Sequence, residues 1–270
     1  MDLPLPEAPT DPRAQARRDR RRFRFALFAS ALFVALLWWI HLAQAWFGHS
    51  LLALGVRPGE PSGLFGLIAA PLIHGSTAHL VANTLPLLVL GTLALAAYPR
   101  SAPRAVLAIW LLSGLGTWCF GRESSHIGAS GLTHGLMFFL FALGLLRRDR
   151  PAIGAMFIAF FLYGGMLLTV LPGDPDISWE SHLFGAVSGV VAALIWRRLD
   201  PAPPRKRYSW DDEEDAMPLE SALQAQERDS LEPPPPTQVP VLWHRDAAGT
   251  ARGTVIPFRP RPRDPDADAS

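Results

Sequence analysis

Residues 128–150 read GASGLTHGLMFFLFALGLLRRDR. A small, polar head is followed by an unbroken apolar run, which stops at Arg147, Arg148 and Arg150. That is the pattern of a helix that crosses a bilayer and ends at a charged interface. Ser130 stands at the head of the run, 17 residues before Arg147. At 1.5 Å per residue it lies roughly 26 Å from the basic end, just inside the far face of a hydrocarbon core about 30 Å thick.

On both sides of this stretch lie further apolar runs, at about 25–47, 77–97, 103–120, 151–171 and 181–196. With 130–146 they make six helices, each long enough or nearly so to span a membrane. The totals of 49% hydrophobic residues and a net charge of +1 hide this division. Arginine gives the orientation. Seven arginines between Arg13 and Arg24, then Arg100 and Arg104, Arg147 to Arg150, and Arg197 to Arg207 alternate with loops that hold only Arg57 and Arg122. Basic residues collect on the cytoplasmic side, so both termini are expected there, and six spans satisfy the alternation where five or seven do not. The fold expected is an all-α membrane protein with a six-helix bundle, embedded in a lipid bilayer. Residues 1–24 form a basic cytoplasmic leader, 25–200 the membrane domain, and 201–270 a cytoplasmic tail. The tail holds 13 prolines and an acidic patch from Asp211 to Asp215. It is expected to be disordered, and its partner is not legible. The first run follows a 24-residue polar leader and is too long for a signal-peptide core, so it is read as a retained helix. Cys119 is the only cysteine. Intrachain disulfides and thiol metal clusters are therefore excluded, and nothing points to a nucleic-acid partner.

Three polar sites then fall at one level. His182 lies 15 residues before Arg197, and Asn83 lies 17 before Arg100. Both sit in the outer parts of helices that run inward, as Ser130 does. An ionisable residue inside a membrane helix is a functional candidate by default. Gly131 and Gly135, and Gly185 and Gly189, are small-xxx-small pairs that let the fourth and sixth helices approach closely. His79 and Asn83 are four apart and share a face that suits donation to an oxyanion. Pro86 predicts a kink just inward of them. A zinc site is not supported. No His-Glu-x-x-His pattern is present, and His74 and His79 are poorly spaced for one helical metal face. No acid stands out as a third member: Glu180 lies two residues from His182 and faces away on a helix, while Asp174 and Asp176 precede it. The simplest assignment is a dyad with Ser130 as nucleophile and His182 as general base.

At these residues the chain resembles the rhomboid intramembrane serine proteases. The pieces are His79-Leu80-Val81-Ala82-Asn83, Gly128-Ala129-Ser130-Gly131, and His182-Leu183-Phe184-Gly185-Ala186-Val187-Ser188-Gly189. Their order matches the bacterial six-helix form, and the resemblance covers about residues 48–200. It implies an endopeptidase that cleaves transmembrane proteins near the outer membrane surface with no metal or cofactor, in this case in a bacterial inner membrane. It implies oxyanion binding by His79, Asn83 and the Ser130 amide, and a supporting role for Gly128 and Gly131. The segment Arg57 to Gly66 resembles a partly embedded first loop, and Leu171 to Ser181 a mobile cap. One departure stands out. Where the family commonly has an aromatic residue four after the serine, packed on the catalytic histidine, this chain has His134. Stacking, a changed basicity of His182, and competition as base all stay open. Two rivals are a catalytically silent rhomboid-like protein that binds membrane clients, and a small transporter. The transporter needs a polar path that the apolar inner halves, 87–97 and 136–146, do not offer.

Overall fold

The computed structural model describes residues 12–174, 177–201, 243–245 and 251–253. The chain divides into two units, Met1–Arg205 and Lys206–Ser270. In the second, Trp243–Arg245 and Ala251–Gly253 pair antiparallel, with His244 opposite Arg252. The sequence reading did not anticipate this short hairpin. The remainder of the tail, including the acidic patch and the proline run, lies outside the described residues.

Six long helices make the first unit. They are α1 (Pro12–Phe47), α2 (Thr77–Ala97), α3 (Ser101–Phe120), α4 (Ser130–Arg147), α5 (Arg150–Tyr163, extended by a 3-10 segment Gly164–Val170) and α6 (Trp179–Trp196). All six segments are long and apolar enough to cross a membrane. The packing is arranged for lipid. Large apolar side chains such as Phe28, Trp39, Leu85, Phe161 and Ile195 face outward, while Asn83, Thr117, His134, Glu180 and His182 are buried. In a bilayer an outward apolar surface costs nothing, and polar groups must find their partners inside.

Local sequence sets the helix starts. Ser76 caps α2 by accepting from His79 N at 3.1 Å. Asp149 caps α5 by accepting from Ala152 N at 2.9 Å, with Pro151 in the first turn, where its missing N–H is not needed. Ser178 caps α6. The first helix begins at Pro12 rather than at residue 25, so the basic leader is largely the N-terminal part of α1. Arginine is a good helix former, and one turn continues the next without a new nucleus. α2 runs helical through Pro86, which leaves the Ala82 carbonyl without its usual donor. Both residues line the cavity described below.

α4 is the most deeply buried helix and α5 the least. α4 packs along α6 by backbone approach: a Cβ at Gly185 would strike the Gly131 carbonyl, and one at Gly189 the Gly135 carbonyl. The small-xxx-small faces read from the sequence thus meet each other. At the opposite end from the site, Asp200 gathers three helices. Its carboxylate accepts from Arg100 N and Ser101 N, both at 2.9 Å, and from Ser101 Oγ at 2.5 Å. Arg147 donates to the carbonyls of Arg197 and Asp200 and to Asp149 at 2.8 Å. Asp200→Ala strips the cap from α3 and should cost about 1–3 kcal/mol, seen as a lower Tm in detergent.

Candidate functional site

Between Phe47 and Thr77 the chain folds into short helical turns, with Pro61–Phe65, Gly66–Ala69 and Ala70–Leu72 in succession. Val56 pairs with His126 through two backbone hydrogen bonds of 2.9 Å. This ties the first loop to the loop before α4. Arg57 bonds Ser62 and Glu60, and Trp118 Nε1 donates to the Glu60 carbonyl. Residues 57–66 therefore form a braced element against α3. The segment before α6 is also pinned. Arg122 donates from its backbone N–H to the Glu180 carboxylate and from its side chain to the Ile177 carbonyl, and Glu180 is fully buried. The acid nearest His182 in sequence thus pairs with Arg122.

A cavity of about 660 Å³ opens between α2, α4, α5 and α6. His79, Asn83, Ser130, His134 and His182 all line it, together with Ser76, Pro86, His126 and Tyr163. The two helices that carry the serine and the histidine are the ones locked by the glycine faces. Gly128 and Gly131 lie behind the serine, around a minor void of about 20 Å³. Gly128 has φ +103°, and a Cβ there would press on the His79 imidazole. Both facts demand glycine. Its amide donates to Ala70 O at 2.9 Å. The chain arrives at Ser130 through this turn, so α4 begins at the serine and the first-turn amides have no helical acceptor.

His182 donates from Nδ1 to the Thr169 carbonyl at 3.0 Å. A carbonyl only accepts, so the proton is on Nδ1 and Nε2 keeps its lone pair. The His134 ring stacks on His182 with centroids 3.9 Å apart and planes at 12°. His134 Nδ1 donates to the Ser130 carbonyl at 2.7 Å, and Nε2 meets Thr169 Oγ1 at 2.8 Å. Both nitrogens of His134 are occupied. The Ser130 hydroxyl makes no hydrogen bond to another described group, His182 included. Such contacts are often long before substrate binds. Asn83 Nδ2 donates to the His79 carbonyl at 3.0 Å, which uses one of its two hydrogens.

His74 lies behind His79, with ring centroids 5.0 Å apart, and its Nε2 accepts from Ala129 N at 3.4 Å. Burial, reinforced by His79, pushes its pKa down to about 4. A lowered folded-state value favours the neutral ring. Its contribution to stability is therefore complete above pH 6.5 and lost as pH falls from 6.5 through 4. Thermal melts in detergent should show that loss, and His74→Gln should reduce it.

His79, Asn83, Ser130, His134 and His182, each singled out in the sequence, share this one cavity. The sequence reading did not identify Thr169, which touches both buried histidines, because one hydroxyl in an apolar run leaves no periodic signature. Nor did it single out His126. That ring meets Ser178 Oγ at 2.6 Å and the Arg122 carbonyl at 3.0 Å. Its pairing with Val56 joins residues far apart in the chain, a relation that spacing does not encode.

Six apolar helices around a polar cavity define a multi-pass membrane protein. Residues 61–199 match the Rhomboid domain family model, and the chain belongs to the rhomboid family. It is 41% identical over 206 residues to an uncharacterized protein of Mycobacterium tuberculosis, an alignment that takes in 72% of this chain and 84% of the relative. An uncharacterized protein of Mycobacterium leprae is 39% identical over 216 residues, with 76% and 83% covered.

Proposed function

We propose that this protein is an intramembrane serine endopeptidase that cuts transmembrane substrates near the outer membrane face with a Ser130–His182 dyad. The observation that carries the reading is the His182 Nδ1 bond to the Thr169 carbonyl. It leaves Nε2 as the basic nitrogen of a ring that shares a cavity with Ser130. Membership of the rhomboid family supports the reaction class.

Ser130 Oγ bonds to the scissile carbonyl carbon while His182 Nε2 takes the hydroxyl proton. Negative charge moves to the carbonyl oxygen. The Ser130 amide, in the open first turn of α4, is one donor to it, and the second Asn83 hydrogen and His79 are the others. His182 passes its proton to the leaving nitrogen as the C–N bond breaks. Water enters, gives a proton to His182 and bonds to the acyl carbon, and as the ester C–O bond breaks His182 returns that proton to Ser130 Oγ. A substrate helix must unwind first, since its carbonyls are already hydrogen-bonded. His134 is not a rival base in this scheme, because both its nitrogens are engaged. Arginine distribution supports cytoplasmic termini and an outward-facing cavity. The mycobacterial relatives support a bacterial cell membrane.

The test is cleavage of a transmembrane reporter in proteoliposomes. Wild type should cut it and His182→Ala should not, with both proteins inserted equally. Equal cleavage by the two would refute the base. A wild type that binds the reporter but never cuts it would favour the client-binding alternative. Asn83→Ala should be milder, on the order of 10- to 100-fold in kcat, because three donors share the oxyanion. A near-unchanged KM in the same assay separates this effect from lost substrate binding.

A further inference from the structure

We propose that Thr169 is the positioning residue of the dyad, holding His182 with its carbonyl and His134 with its hydroxyl. This rests on the dyad reading above. It concerns the element that replaces the missing acid.

Hydrogen accounting supports the assignment. The Ser130 carbonyl can only accept, so His134 carries its proton on Nδ1 and, when neutral, accepts at Nε2. Thr169 Oγ1 is the donor there, at 2.8 Å. The same hydroxyl reaches the Met166 carbonyl at 3.0 Å. Thr169 has one hydroxyl hydrogen for these two acceptors, and the shorter contact assigns it to His134. The Thr169 carbonyl is then presented to His182 Nδ1 at 3.0 Å. A continuous path runs from the Ser130 carbonyl through His134 and Thr169 to His182, and it joins α4, α5 and α6.

In a dyad with no carboxylate behind the histidine, something else must select the tautomer and hold the ring plane. The carbonyl selects the tautomer, since the alternative would set the Nδ1 lone pair against an oxygen lone pair. The stack fixes the plane. Thr169 belongs to the 3-10 segment Gly164–Val170 at the end of the least buried helix. Alignment of the base thus depends on how the end of α5 is seated.

The experiment uses full-length protein in proteoliposomes with the transmembrane reporter. The variants are Thr169→Val, Thr169→Ser, His134→Phe, and the double variant His134→Phe with Thr169→Val. Valine keeps the shape and the carbonyl but loses the hydroxyl. We expect kcat to fall about tenfold, the worth of one hydrogen bond, with KM within about twofold. Thr169→Ser should recover most of the rate. His134→Phe keeps an aromatic stack but loses the bonds to both Thr169 and the Ser130 carbonyl, so kcat should fall at least as far. The double variant should lose no more than His134→Phe alone, because the His134–Thr169 contact is already gone in that variant. Thr169→Ala replaces Thr169→Val should the latter fail to fold. Wild-type kcat in Thr169→Val, or losses that multiply in the double variant, would overturn the assignment while leaving the dyad intact. A wild type inert to both reporter and fluorophosphonate would overturn the dyad and this assignment with it.

Discussion

Ser130→Ala should abolish proteolysis and covalent labelling by a serine-directed fluorophosphonate, while the protein inserts and melts as the wild type does. In this scheme every covalent step passes through Ser130 Oγ, so alanine removes the nucleophile and not merely a contact. The expected fall in kcat is on the order of 10⁴-fold or more. Stability should change little. The hydroxyl bonds no other described group, and the contacts that hold this turn use the Ser130 carbonyl, which alanine keeps. Labelling of the purified wild type at Ser130, read by peptide mapping, gives a result that needs no known substrate. Undiminished cleavage by a purified Ser130→Ala protein would remove Ser130 from the chemistry altogether.

Gly185→Ala should cost both fold and activity, by a route that touches no reacting atom. A Cβ at Gly185 would meet the Gly131 carbonyl, carbon and Cα, all of which are backbone. Backbone cannot rotate aside as a side chain can, so α4 and α6 must separate. Overpacking of this kind costs about 1–3 kcal/mol. Gly131 follows Ser130, and Gly185 lies on the same helix as His182. The displacement therefore falls between the proposed nucleophile and its proposed base, where an error of about 1 Å costs on the order of 100-fold in rate. Gly154→Ala is the matched control, because a Cβ there meets nothing within 4 Å. Equal Tm and kcat for Gly185→Ala and wild type would mean that the close helix contact does not position the site.

The membrane domain was largely legible because its signals are local. A helix in lipid must satisfy its own backbone, so each span shows as a run of apolar residues with polar ends. The start of α2 at Thr77 and of α4 at Ser130 agrees with the reading, since Ser76 and the glycine turn at Gly128 are written in adjacent residues. The boundary of α1 was not legible. Its arginine-rich first turns look like a leader by hydropathy, and only the fold shows that they continue the helix from Pro12. The end of α5 differs for a similar reason. Residues 164–170 carry no charge and a single hydroxyl, at Thr169, yet they wind as a 3-10 segment that starts at the Gly164-Gly165 pair. Hydropathy reports depth in lipid and is blind to that change of pitch.

Composition and spacing by themselves determined that six helices are long and apolar enough to cross a membrane, that Asn83, Ser130 and His182 stand 15 to 17 residues before basic residues on three of them, and that two carry glycine faces. Each of these is a property of neighbours along the chain, where period and length suffice. Only the tertiary structure decided which nitrogen of His182 bears the proton, that His134 is spent on Ser130 and Thr169, and that Glu180 goes to Arg122. Those partners sit on different helices, and a hydrogen bond across helices depends on ångström-scale placement that no linear pattern contains.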